Sequence, residues 1–273
     1  MTKYCDAQGV SDIHLKQLLK LGLDAGYEQS IRLSATGIST NRWLVSFTAA
    51  SFKPFLPTIM RTWKSPFPGE RFEYELDDIS HIHLGKAISS DGNVTLKLYL
   101  EYDEGTPGFV DANLRFRAIK WSDLQSAVYN SSYYQRNFSS QEAVAVANSN
   151  FLGHQASQDD VLSSAVEKLI TALHVNNFPK KPTYLEVVDA ESDRHSLDLN
   201  LYDLSHTKSP VLEFIDTFSV AIMANSCDVD LIRNTVNINT PGHLSFGRHR
   251  NSELFITYYY GVTDLTDVGG KLL

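Results

Sequence analysis

Residues 77–103, DDISHIHLGKAISSDGNVTLKLYLEYD, decide the architecture. Two runs of alternating apolar and polar residues flank Ser89-Ser90-Asp91-Gly92, a set of turn formers. That spacing predicts a β-hairpin with arms 77–88 and 93–103. On the second arm Leu96, Leu98 and Leu100 point one way, and Lys97, Tyr99 and Glu101 point the other. One face is built for a core. The other carries cations and phenols instead of the Thr, Ser and Glu mixture of a wet surface.

The same unit recurs on both sides. Upstream, residues 11–24 read as an amphipathic helix, with Ser11 or Asp12 as its cap. Strands 27–35 and 41–48 follow, with ATGIST as the turn, then a helix over 51–63 and a Pro-rich loop, WKSPFPGERF. Downstream come a loop at 105–110 and a strand at 111–119. Residues 121–135 and 140–149 read as helical, and 158–175 as a helix with one apolar stripe. After the break NNFPKKP come strands 183–189 and 195–204 around AESDRH. A helix over 210–224 starting at Pro210 and a last hairpin, 241–249 with 252–261, complete the chain.

Hairpins make neighbouring strands antiparallel, and no Gly-rich strand-to-helix turn is present, so a parallel nucleotide-binding sheet is excluded. The expected class is α+β: an antiparallel β-barrel of hairpins surrounded by helices, in αββα repeats. The whole chain, 1–273, is expected to be a single domain. An open sheet with one wet face would show the same alternation. The composition of the polar face and the supply of a helix for each hairpin favour closure, with helices outside and the polar face turned inward. In SLDLNLYDL (196–204), Asp198, Asn200 and Tyr202 take that face. In NLRFRAI (113–119), Arg115 and Arg117 oppose Leu114 and Phe116. In LFITYYYG (254–261), Phe255, Thr257 and Tyr259 oppose Leu254, Ile256 and Tyr258.

Bulk properties narrow the function. The chain has 42% hydrophobic and 21% charged residues, enough apolar material for a core. Lys+Arg number 24 against 32 Asp+Glu, a formal charge of -8, which argues against nucleic-acid binding over the bulk surface. Two cysteines, Cys5 and Cys227, exclude a disulfide scaffold and an all-cysteine zinc site. No apolar run is long enough for a membrane span, and the N-terminal stretch lacks a signal-peptide core. A cytoplasmic protein without membrane or nucleic-acid partners is expected.

Several strands resemble the soluble aromatic prenyltransferases of the αββα ("ABBA") barrel fold, of the dimethylallyltryptophan-synthase type. The C-terminal hairpin, HLSFGRHRNSELFITYYYG (243–261), is similar to that family's closing pattern. GKAISSDGNVTLKLYLEY (85–102) resembles its hairpin ending in Lys-x-Tyr, here Lys97 and Tyr99. In YEQSIRLSATGISTNRWLVSF (27–47), Glu28 before Ser30 resembles the Glu-x-Ser catalytic strand, and Arg42 sits where an arginine faces a diphosphate. The chain departs from the pattern in its third repeat, which has Arg115 and Arg117 where Lys-x-Tyr is usual and no evident second strand. Asn200 stands where Gln is more usual.

The resemblance implies transfer of a dimethylallyl or longer isoprenyl group from an allylic diphosphate to an indole, another electron-rich ring, or a peptide bearing one. Arg42, Lys97, Arg115, Arg117 and Asn200 would hold the diphosphate. Tyr99, Tyr202 and Tyr258 or Tyr259 would shield the allylic cation. Glu28 would bind the acceptor N–H, and Glu28 or a lysine would serve as the base that removes the ring proton. The acidic pairs Asp77-Asp78 and Asp159-Asp160 lack a third Asp at helical spacing, so turnover without metal or other cofactor is expected. The acidic pairs read instead as a strand start and a helix N-terminus.

Two rival readings use the same residues. A non-catalytic barrel binding a hydrophobic anion, such as an isoprenoid or lipid carrier, would need no base at Glu28. A protein-interaction domain would leave the sheet open. Other features read as structural. His81 and His83 share a strand face but lack a third ligand. Arg248, His249 and Arg250 read as a solvated hairpin tip, and Cys227 as a buried thiol.

Overall fold

A computed structural model describes residues 12–65, 78–89, 91–103, 113–122, 128–151, 159–175, 182–189, 192, 195–202, 208–249 and 253–264. The loop at 105–110, most of WKSPFPGERF, NNFPKKP and AESDRH, and Cys5, Ser11, Asp77 and Arg250 lie outside them. The strands are β1 (Gly26–Ser34), β2 (Gly37–Ser39), β3 (Arg42–Thr48), β4 (Ile79–Ile88), β5 (Val94–Tyr102), β6 (Leu114–Ser122), β7 (Val128–Arg136), β8 (Tyr184–Asp189), β9 (His195–Asn200), β10 (Pro241–Arg248) and β11 (Leu254–Asp264). The helices are α1 (Ile13–Leu19), α2 (Ala49–Phe52), α3 (Leu56–Thr62), α4 (Ser140–Phe151), α5 (Asp159–Val175), α6 (Lys208–Ala221) and α7 (Ser226–Ile238).

The sheet order is β11-β10-β9-β8-β7-β6-β5-β4-β3-β1-β2, and β11 also pairs with β1. The paired ladder is therefore cyclic, and the fold is an antiparallel β-barrel of hairpins with helices against the apolar faces of its strands. The β2 and β3 strands together oppose β1: Arg32–Ser34 pair with β2 and Gly26–Gln29 with β3.

Three expectations are corrected. ATGIST is not one turn, because Gly37–Ser39 already pair back as β2. Residues 128–136 are a strand, not a helix; VYNSSYYQR pairs with β8 from Ser131↔Asp189 to Arg136↔Tyr184. Its Tyr and Val content suits a pleated sheet, and partners remote in sequence decide the outcome. The third correction is α7, a helix that the periodicity did not reveal. Its Asn, Thr and Val residues are weak helix formers, and only Ile232, Thr235 and Val236 are buried. The local signal is at its start, where the Asn225 side chain accepts from the Cys227 N–H. This puts Cys227 on an exposed first turn, so it is not the buried thiol expected.

Other helix starts follow local rules. Asp12 caps α1, its carboxylate accepting from the N–H groups of His14 and Leu15. Ser139 and Glu142 form a reciprocal capping box before α4. Pro54 breaks the expected helix over 51–63 into α2 and α3. Gly92, at φ +85°, supplies the left-handed residue in the β4–β5 turn.

Two compact units make up the chain. The first comprises Met1–Gln29, Asn41–Asn130 and Val262–Leu273, and the second Ser30–Thr40 and Ser131–Gly261. In the first, Val45, Phe47, Ile82, Leu84, Leu96, Leu98 and Leu100 form a fully buried apolar face. Burial of each large side chain stabilises by about 1.5–3 kcal/mol. Phe52 of α2 stacks on Phe47 at 4.4 Å, and the three tryptophans gather on this side. The Trp43 ring meets Trp63 edge-on at 6.2 Å, and Trp121 Nε1 donates to the Trp63 carbonyl.

In the second unit, α4–α7 cover Tyr184, Leu197, Leu199, Leu244, Phe246, Ile256 and Tyr258, with Ile31 and Leu33 of β1 in the same cluster. The β11–β1 contact is reinforced here by Arg32 Nε donating to Thr257 Oγ1 at 2.9 Å. No described helix is long and apolar enough to cross a membrane.

Candidate active site

In an antiparallel ladder, residues in register share a face. In the first unit this rule builds the polar face row by row. One row runs Glu28, Leu44, Gly85, Lys97, Lys120 across β1, β3, β4, β5 and β6. The next holds Gly26, Ser46, His83, Tyr99 and Ala118. Beyond it lie Thr48, His81, Glu101 and Phe116, and on the other side of the first row Arg42, Ala87, Thr95 and Ser122. The structure thus brings Glu28, Arg42, Lys97 and Tyr99 onto one face of contiguous strands.

Burial marks the row as more than a wet surface. Glu28, Arg42 and Lys120 are buried, and Lys97 and Tyr99 are half-buried. Lys120 Nζ lies 5.9 Å from the centroid of the Tyr99 ring, a cation–π distance. A Cβ on Gly85 would come within 2.9 Å of Leu44 Cδ1 and of the Trp43 carbonyl oxygen, so a side chain there would force a shift.

Lys120 was missed in the sequence, and Arg117 was placed on the wrong face. The β5–β6 register sets Arg117 opposite Leu100, on the face of Leu96 and Leu98, where it is exposed. Lys120 is the residue opposite Lys97. The parity of NLRFRAI pointed to its arginines because the apolar residues Leu114 and Phe116 were taken as the core side. The cross-strand partners show Phe116 on the polar face instead.

Arg115 reaches the edge of the same region by another route. Its Nη2 is 3.6 Å from Glu101 Oε1, and its Nη1 is buried without a hydrogen bond. Glu101 gathers several groups: Oε2 is 2.9 Å from His83 Nε2 and 3.6 Å from His81 Nδ1. Burial opposes the Glu101 charge, but the His83 hydrogen bond, with the nearby imidazoles and the Arg115 guanidinium, outweighs it. The carboxyl is held below the usual range. Among the described residues no His, Cys, Asp or Glu group is arranged to hold a metal ion.

Behind this face lies a separate polar cluster. Lys86 faces the helix side with Trp43. Its Nζ is 3.0 Å from Asp12 Oδ2, which also accepts from Trp43 Nε1 at 3.0 Å. Burial works against the Asp12 charge, yet hydrogen bonds from His14, Trp43 and Lys86 hold its carboxyl well below the usual range. This cluster ties α1 to β3 and β4.

The second unit has its own polar face. Leu185, Asp198, Ser245 and Thr257 are in register, and His243 stands opposite Asn200. His243 Nδ1 is 2.8 Å from Asp198 Oδ1, and the imidazole meets Tyr202 edge-on at 4.7 Å and Tyr259 at 6.0 Å. Of the predicted tyrosines here, Tyr259 and Tyr202 lie beside His243. Tyr258 lies in the hydrophobic cluster, fully buried. Its hydroxyl makes no hydrogen bond, and burial pushes its pKa up. The tip residue His249 packs edge-on against Phe255.

No family model and no curated protein matches this chain. Solved structures do. 5-Dimethylallyltryptophan synthase from Streptomyces coelicolor superposes with a TM-score of 0.58 at 12% identity, over 86% of this chain and 80% of that one. The prenyltransferase PriB, in a ternary complex with L-tryptophan and dimethylallyl thiolodiphosphate, gives 0.57 at 12% identity, over 86% and 79%. NotF prenyltransferase, in complex with brevianamide F and the same diphosphate analogue, gives 0.53 at 11% identity, over 86% and 79%. The cyclic strand order and these likenesses agree: the chain has the αββα-barrel fold of the aromatic prenyltransferases.

Proposed function

We propose that the protein is an aromatic prenyltransferase that moves an isoprenyl group from an allylic diphosphate to an indole or another electron-rich ring, free or in a peptide, without a metal ion. One observation carries this reading. Lys97 and Lys120 are direct cross-strand partners beside the Tyr99 ring, in the same row as a buried carboxylate, Glu28. Like charges directly opposite each other on a sheet repel. Two ammonium groups in one row of a polar face suit a polyanion that can engage both, and the strands put them in place before any ligand arrives.

The chemistry follows from the residue types. As the C–O bond of the allylic diphosphate breaks, its electron pair leaves with the diphosphate. Lys97 and Lys120 stabilise that charge as ammonium point charges, and Arg42 as a planar fork. Preorganised donors in a partly buried site are worth more than in water. The allylic cation left behind is stabilised by the Tyr99 ring face, by about 0.5–2 kcal/mol, and shielded from water there. Glu28 accepts a hydrogen bond from the acceptor N–H and so raises the electron density of the attacking ring.

The likeness to 5-dimethylallyltryptophan synthase and to prenyltransferases solved with L-tryptophan and with brevianamide F supports an aromatic acceptor. The test is to incubate the protein with dimethylallyl or geranyl diphosphate and a panel of indoles and phenols, with EDTA present, and to look for adducts by mass spectrometry. Adducts in EDTA are the expected result. A folded protein that binds the diphosphates but alkylates nothing would instead be a carrier for hydrophobic anions.

A further inference from the structure

A hydrogen-bonded chain runs through the row next to Glu28 and Lys97. Ser46 Oγ lies 2.6 Å from His83 Nδ1, and His83 Nε2 lies 2.9 Å from Glu101 Oε2. The three residues come from β3, β4 and β5 and all lie on the polar face of the first unit. The Cα partner of Ser46 is Gly26, two residues before Glu28 on the same face of β1. Tyr99 stands opposite His83.

The order of groups sets the tautomer. Glu101 is ionised and accepts only, so Nε2 carries a hydrogen and donates to it. Nδ1 then bears a lone pair and accepts from the Ser46 hydroxyl. This leaves the Ser46 oxygen with lone pairs aimed away from His83, as in a nucleophile–base–carboxylate arrangement. Under the proposed chemistry the serine attacks no acyl or phosphoryl centre, because the bond that breaks is the allylic C–O bond. With Glu28 engaged by the acceptor N–H, the proton on the alkylated ring carbon calls for an acceptor of its own.

We propose that Ser46, His83 and Glu101 form a relay that takes this proton, an inference that rests on the prenyl-transfer reading above. After the ring attacks the allylic cation, the alkylated carbon still bears its hydrogen. As that C–H bond breaks, its electron pair restores the aromatic ring, and the proton goes to Ser46 Oγ. The serine's own proton passes to His83 Nδ1 in the same event. The product side holds a neutral Ser46, an imidazolium at His83 and the Glu101 carboxylate, so charge and atoms balance. Ser46 is the residue in contact with the reacting atoms; His83 stores the proton and Glu101 positions and stabilises the imidazolium.

The surroundings suit the role. His83 is faced by Glu101 and Tyr99 of β5, by Phe116 of β6 at 5.7 Å, by Ser46 of β3, and by His81 on its own strand. Arg115 of β6 touches Glu101 instead. The His83 side chain is only 12% exposed, whereas that of His81 is 46% exposed and sits 3.6 Å from the same Glu101 oxygen. His81 therefore offers the stored proton a way out to solvent.

The experiment takes the acceptor and diphosphate that the panel above shows wild type to use, and compares that acceptor with its ring-deuterated form. Wild type and the variants His83→Gln and Ser46→Ala are assayed after their folding is checked by thermal melting. If the relay takes the proton, both variants lose kcat, by about 100-fold for His83→Gln. Both also show a deuterium isotope effect on kcat larger than that of wild type, because proton removal has become slow. Ser46→Ala removes only a hydroxyl, so it serves even if His83→Gln does not fold. Active wild type with unchanged rates and isotope effects in the folded variants overturns the relay alone. Wild type that prenylates no acceptor of the panel above with either diphosphate removes the prenyl-transfer reading, and the relay with it.

Discussion

Lys97 and Lys120 face each other across the β5–β6 ladder, and Lys120 stands 5.9 Å from the Tyr99 ring. If both hold the same diphosphate, Lys97→Ala and Lys120→Ala should each weaken its binding by about 1.5–3 kcal/mol. The double variant should lose less than the sum, because the groups share one partner. Calorimetric titration with dimethylallyl thiolodiphosphate measures this. Strict additivity would place the two lysines at different sites.

Glu28 should behave differently from the lysines. It is buried in the same row but on β1, three strands from Lys97. Glu28→Ala should lower kcat by about 10²–10⁴-fold and leave diphosphate affinity nearly unchanged. Parallel steady-state kinetics and diphosphate titration separate the two effects. Unchanged turnover would remove Glu28 from the chemistry.

Asp12 and Lys86 make a nearly dry ion pair, with side chains 3% and 11% exposed. Lys86→Met leaves a buried carboxylate without its cation and should cost about 3–5 kcal/mol of stability. The sign of the pH dependence follows from the lowered Asp12 pKa. Its contribution is fully present above the unfolded carboxylate range, about 3.9, and is lost as pH falls toward the folded value. Denaturant melts across the acid range should show wild type losing stability more steeply than Asp12→Asn. Equal slopes would show that Asp12 does not drive the acid transition.

Tyr258 and Tyr259 are neighbours in sequence with opposite surroundings. The Tyr258 hydroxyl is buried in the apolar cluster without a hydrogen bond. Tyr258→Phe removes that unsatisfied group and should leave stability unchanged or raise it by about 1 kcal/mol, with activity intact. A marked loss of activity in Tyr258→Phe would show that the hydroxyl has a role on the polar side after all.

Much of this was legible in the chain itself. Alternation in 94–102 assigned Leu96, Leu98 and Leu100 to the core and Lys97 and Tyr99 to the polar face, because a strand's side-chain period of two needs no outside information. The hairpin turn at Gly92 and the α1 cap at Asp12 were readable for the same reason: each rests on interactions within a few residues. The strand at 128–136 was not, since its ladder partner lies some fifty residues away on β8. Nor was the relay: Ser46, His83 and Glu101 sit 37 and 18 residues apart and meet only through cross-strand register.

Arg117 and Lys120 mark the boundary most sharply. Sequence alone says that they point to opposite faces of one strand, and that much holds. Which face belongs to the core is a property of the neighbouring strand, and only the pairing of Leu100 with Arg117 and of Lys97 with Lys120 decides it. Local periodicity sets the parity of side chains within a strand. Register against a partner distant in sequence sets which parity is buried, since a slip of one residue would exchange the two faces.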